Sequence, residues 1–203
     1  MRASQPSYEA VIAAMNMEHL IGETIESLLE STIPPKNIWV VDDASSDNTA
    51  EVSASYPTVT VLQNDENHDT SYSRNRALKR CTAPYLLVID ADDVVHPDRM
   101  EQQIRYLENH PETDAVYGDK QSFLDKLEET NFLDIDRFDD FDDLLEKLLI
   151  RNTIVPSILL FRGNFFEQFG YFDEEIHIAN DRELLIRALL KGAKIDHTPG
   201  AIT

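Results

Sequence analysis

Short, unbroken apolar runs alternate with amphipathic stretches through the first half of the chain. The run Ala10-Val11-Ile12-Ala13-Ala14 predicts a buried strand. Leu20, Ile21, Ile25, Leu28 and Leu29 then recur at helical spacing with Glu18, Glu23, Glu26 and Glu30 between them, and Pro34 and Pro35 stop that helix. Further strands are expected at Ile38-Trp39-Val40-Val41, Val59-Thr60-Val61-Leu62 and Tyr85-Leu86-Leu87-Val88-Ile89, with a short helix before the third run and another from about Ser73 to Arg80. None of these strands alternates apolar with polar. Strands covered on both faces read that way, which predicts an α/β fold with a mostly parallel sheet flanked by helices, in a single domain.

The second half is less regular. Pro97 to Asn109 reads as a helix with Pro97 in its first turn, and Asp114 to Tyr117 as a short strand. Phe138, Phe141, Leu144, Leu145, Leu148 and Leu149 mark one face of an amphipathic helix, with Asp139, Asp140, Asp142 and Asp143 in its first turns, where carboxylates suit the helix dipole. Val155 to Phe161 is a further strand, Asp181 to Lys191 a helix closed by Gly192, and Ile195 begins a last strand. The chain ends soon after, abruptly enough to suggest part of a longer one.

Charge narrows the function. The formal net charge is −20 over 203 residues. Such a chain repels nucleic-acid phosphates and anionic lipid surfaces, so neither is expected as a direct partner. A phosphate-ester substrate would need a divalent cation to offset the repulsion. Cys81 is the one cysteine, which rules out an intrachain disulfide and fits a reducing compartment. No signal peptide or membrane-span run is legible, so the chain reads as cytoplasmic, at most peripheral to the inner face of a membrane.

The sharpest chemical feature is Leu86-Leu87-Val88-Ile89-Asp90-Ala91-Asp92-Asp93, a buried strand running into three carboxylates. Packed like charges cost free energy unless a cation or protons relieve them, and ligands of open α/β sheets bind beyond the carboxyl ends of strands. Carboxylate oxygens there suit Mg²⁺ or Mn²⁺, which also hold phosphates; a capped turn is the structural alternative. Val40-Val41-Asp42-Asp43-Ala44-Ser45 puts more carboxylates at a strand end, for a base N–H, a ribose hydroxyl or a helix cap. Arg74, in Ser73-Arg74-Asn75-Arg76, is a planar multi-donor cation.

In order and spacing, roughly from Tyr8 to Ile195, these segments resemble the family 2 glycosyltransferases of the GT-A fold. The resemblance implies a Rossmann-like sheet, a donor-binding half over residues 1–112 and an acceptor-binding half over 113–203. It implies that Asn16, Asp43 or Asp42, Arg74 and Asp90 contact a nucleotide-sugar donor, a UDP-sugar at family level. Asp92, with Asp90, would hold the Mn²⁺ or Mg²⁺. Asn180-Asp181-Arg182-Glu183-Leu184 aligns with the family's acidic catalytic segment, so Asp181 would be the general base, with Asn180 where the family has Glu. Asp173, Glu174 and His177 would lie toward a saccharide or glycoconjugate acceptor, and His197 is a weaker metal-ligand candidate. The reaction implied is a single inverting displacement at the anomeric carbon. The competing readings are a degenerate nucleotide-sugar-binding module and a receiver-like phosphoacceptor domain. A nucleotidyltransferase would need a Gly-rich basic loop, yet Gly22 is the only glycine in the first hundred residues.

Overall fold

A computed structural model describes residues 6–122, 131–133, 141–150 and 154–203. Strand β1 (Tyr8–Ala14), helix α1 (Ile21–Leu29), β2 (Asn37–Asp42), α2 (Thr49–Ala54), β3 (Val59–Gln63), α3 (Asp69–Leu78) and β4 (Tyr85–Asp90) follow the expected alternation. Helix α4 (Arg99–Asn109), β5 (Ala115–Ser122), β6 (Asn131–Leu133), α5 (Phe141–Ile150), β7 (Leu159–Arg162), α6 (Phe165–Phe169), α7 (Asn180–Leu190) and β8 (Ile195–Ile202) complete the described elements.

The strands form one sheet in the order β3-β2-β1-β4-β7-β5-β6, and β8 runs parallel along the other edge of β5. Pairing is parallel from β3 to β4 and antiparallel on both sides of β7. The sheet is therefore more mixed than the apolar runs suggest, because a strand buried on both faces looks the same in either direction. The antiparallel β7 beside β4 is foreign to the all-parallel order of a receiver domain.

Both faces are covered. Ala10 and Ile12 pack with Ile21, Ile25 and Leu28 of α1 and with Met100, Ile104 and Leu107 of α4. Val11, Leu86 and Val88 pack with α3, α5 and α7 on the opposite face. That coverage is the physical reason the strands carry no polar alternation.

Three sequence expectations are corrected. The fourth helix starts at Arg99, not in a turn opened by Pro97; the Pro97 carbonyl accepts from the Thr32 N–H and hydroxyl instead. The strand expected from Val155 begins at Leu159, because Pro156 starts a 3₁₀ turn over Pro156–Ile158. Helix α6 went unpredicted, since five residues are too few to show a helical period. Phe138, Asp139 and Asp140 lie outside the described residues.

Gly118 marks the irregular pairing of β5 with β8. A methyl there would overlap the Ala201 carbonyl oxygen. Gly118→Ala is expected to cost about 1–3 kcal/mol, as other overpacking changes do, read by chemical denaturation.

Candidate functional site

The chain runs from β1 outward to β3 and returns to β4 on the other side of β1. That reversal opens a crevice at the carboxyl ends of these strands, where open α/β sheets bind ligands. A cleft of about 460 Å³ lies there, walled by Ala14 and Met15 at the end of β1, Asp43 after β2, Asp90 and Asp92 at the end of β4, and Asn180 and Asp181 at the start of α7. Asp69, Thr70 and Arg74 of α3 add to its polar lining, with Asn67 just before them.

Arg74 is the one cationic side chain lining the cleft among the described residues, against the carboxylates of Asp43, Asp69, Asp90, Asp92 and Asp181. Its guanidinium is buried, sits over the Phe172 ring at 5.2 Å, and donates through Nη2 to Asp90 Oδ1 at 2.5 Å. Nη1 reaches Asn180 Oδ1 at 3.5 Å, and Asn180 Nδ2 donates to the Ser71 hydroxyl at 2.7 Å. Arg74 thus ties the end of β4 to the start of α7. Asn180, where the resemblance expects Glu, is a neutral link in that tie.

The three carboxylates after β4 divide their surroundings. Asp90 is held by Arg74. Asp93 turns inward, and burial raises its pKa above the usual carboxylate range against a hydrogen bond with Ser157 that lowers it. Asp92 is exposed, lines the cleft, and has no hydrogen-bond or ion-pair partner among the described residues. No group of three His, Cys, Asp or Glu side chains converges on a metal position among the described residues. The donor set still fits Mg²⁺ or Mn²⁺, which are commonly held by one or two carboxylates with substrate phosphates filling the rest.

Asp43 is buried; its Oδ1 accepts from Asn64 Nδ2 at 2.5 Å and from the His68 N–H at 3.0 Å. Asp42 does not line the cleft: its carboxylate takes the Ser45 N–H and Gln63 Nε2. Asn16 is likewise off the lining, with a left-handed backbone (φ 55°) and an amide oxygen that accepts from the Ser46 N–H and hydroxyl. Asp181 is not the helix cap that sequence allowed. Ala179 occupies that position, with φ 58° and no side-chain cap, leaving the buried Asp181 carboxyl on the cleft wall.

Asp173, Glu174 and His177 do not line the cleft. Asp173 accepts from the Glu175 N–H, and Glu174 from Asn75 Nδ2 at 2.8 Å. His177 Nδ1 stands 2.8 Å from the Asp69 carboxylate, bridging α3 to the segment before α7. The Thr70 N–H first, then His177, pull the Asp69 pKa down against the opposing effect of burial. His197 pairs with Asp119 at 2.8 Å and stacks on Tyr117, away from the cleft. Cys81 is half-buried, and burial raises its thiol pKa, away from the range of a reactive thiolate. Asp69, with a left-handed backbone (φ 76°), and Asn67 also line the cleft, and no sequence signal marks them.

The acidic strand ends, the bridging arginine and the Asp181 wall meet in one crevice, in the order the resemblance requires. A family model of glycosyl transferase family 2 matches residues 9–166. The chain belongs to glycosyl transferase family 2. This family 2 chain is 25% identical over 208 residues to the poly-β-1,6-N-acetyl-D-glucosamine synthase of Staphylococcus epidermidis, covering 95% of this chain and 48% of that one. It is 30% identical over 112 residues to a putative glycosyltransferase of Bacillus subtilis, EpsE, covering 53% and 40%. Against these two relatives the family 2 domain spans between 40% and 48% of their length. Among solved structures, residues 1–349 of S. aureus TarS in complex with UDP match with a TM-score of 0.77 at 21% identity, over 94% of this chain and 57% of that one. The mannosyltransferase PcManGT of Pyrobaculum calidifontis, with GDP-Man and Mn²⁺, matches with a TM-score of 0.74 at 20% identity, over 98% and 56%. These two likenesses establish the GT-A fold for the family 2 chain. No helix among the described residues is long and apolar enough to cross a membrane.

Proposed function

We propose that this chain transfers a sugar, with inversion, from a UDP-sugar to a hydroxyl of a saccharide or glycoconjugate acceptor in the cytoplasm. The observation that carries the reading is the convergence of Asp43, Arg74, Asp90, Asp92 and Asp181 on one cleft. Residues 1–112 form the donor half and 113–203 the acceptor half. Asp43, on the wall after β2, accepts an N–H of the base. Arg74 orients Asp90 and places a positive charge beside the diphosphate. Asp92, with Asp90, holds Mn²⁺ or Mg²⁺. The ion supplies Lewis-acid stabilisation of the charge that develops on the leaving nucleoside diphosphate. Asp181 takes the proton from the acceptor hydroxyl as that oxygen attacks the anomeric carbon. The solved neighbours, one with UDP and one with GDP-Man and Mn²⁺, support a nucleotide-sugar donor.

The test is calorimetric titration of UDP, GDP and dTDP with and without Mn²⁺. Metal-dependent binding of UDP is the expected result. Absence of binding by folded protein to all three removes the donor site. Arg74→Lys keeps the charge but loses the planar fork. It is expected to weaken UDP binding about tenfold, the lower end for a hydrogen bond to a charged group.

A further inference from the structure

The turn bearing Asp90 and Asp92 is held from behind by a residue 67 positions later. Ser157 is 1% exposed, and its hydroxyl accepts the Asp90 N–H at 3.0 Å. That bond fixes the backbone at the head of the turn that carries Asp92.

The grip has a firm base. Gln103 Nε2 donates to the Ile158 carbonyl at 3.0 Å, and Arg99 Nη2 to the Leu159 carbonyl at 3.4 Å, both from α4. Arg99 is fully buried, and desolvation lowers its pKa to about 10. The Thr203 hydroxyl donates to the Ser157 carbonyl at 3.2 Å. Val155 and Pro156, next to Ser157, line the cleft, so the same segment that holds the acidic turn also walls the site.

Without that grip, three neighbouring carboxylates would spread to relieve their repulsion. With the Asp90 side chain tied to Arg74 and its N–H tied to Ser157, the exposed Asp92 follows a strand end held on both sides. We infer that Ser157 is a positioning residue for the metal-binding turn: its buried hydroxyl, bonded to the Asp90 N–H, fixes where the Asp92 carboxylate points. The inference rests on the assignment of Asp92 as a metal ligand. Mg²⁺ in particular demands near-ideal octahedral geometry, so a loosened ligand loses affinity even though its charge remains.

The experiment is Mn²⁺ uptake with saturating UDP, read by the electron paramagnetic resonance of free Mn²⁺, in wild type, Ser157→Ala and Ser157→Cys. Ser157→Ala is expected to weaken Mn²⁺ binding about tenfold, the lower end for removing an outer-shell partner, and to leave metal-free UDP binding unchanged. Ser157→Cys, close in size with a far weaker donor, should lose affinity in the same direction and serves if alanine unfolds the chain. A lower Tm with wild-type Mn²⁺ affinity overturns the positioning role and leaves Ser157 a packing residue. Wild-type protein that takes up no Mn²⁺ with UDP overturns the donor-site reading itself.

Discussion

Asp181→Asn is expected to lower kcat about 10²–10⁴-fold, the range for losing a positioned general base, while UDP affinity stays at the wild-type value. The substitution is nearly isosteric, and the amide oxygen can still accept the Arg182 N–H that Asp181 Oδ1 takes at 2.8 Å. What it removes is the capacity to accept a proton. Asp181 sits at the second position of α7 behind the left-handed Ala179, with its carboxyl on the cleft wall. Release of UDP from a UDP-sugar, with water as acceptor, reads the effect before the natural acceptor is known. Unchanged turnover in the variant would remove Asp181 as the base. A wild-type chain that binds UDP and Mn²⁺ yet never turns over would favour the degenerate binding module, with Asn180 in place of Glu as its mark.

Asp92→Asn is expected to abolish the metal dependence of nucleotide binding. Loss of an outer-shell partner costs about 10–100-fold in metal affinity, so loss of a direct ligand should reach at least about 100-fold. Asparagine keeps the shape and one oxygen but carries no charge. The Asp92 side chain holds nothing else in place, being exposed and without a partner among the described residues. Stability should therefore hold while calorimetry shows UDP binding with Mn²⁺ fall to the level seen in chelator. Equal Mn²⁺-dependent binding in wild type and variant would move the metal elsewhere. Asp90→Asn is a poorer probe, because it also strands the buried Arg74 guanidinium.

Much of the first half was legible because its signals are local. Four apolar strand cores and the acidic residues at the ends of β2 and β4 appear as runs in the chain, and each strand lies where its run predicts. The second half was less legible. Asp173, Glu174 and His177 lie near one another in sequence, but side-chain geometry turns them to Glu175, Asn75 and Asp69 rather than onto the cleft. Asp42 and Asp43 are neighbours of the same type, and only their tertiary contacts separate them. Asp42 closes β2 and takes the Ser45 N–H and Gln63 Nε2, whereas Asp43, just past the strand, takes Asn64 and the His68 N–H and lines the cleft.

Sequence alone determined the α/β class, the helix and strand order of the first half and the acidic character of the strand ends, because hydrophobic periodicity and residue identity are properties of short segments. Tertiary structure decided the antiparallel insertion of β7, the joining of Arg74 to Asp90 and Asn180, and the grip of Ser157 on the acidic turn. Each of these depends on strand direction or on contacts between residues tens of positions apart, which no local pattern in the chain encodes.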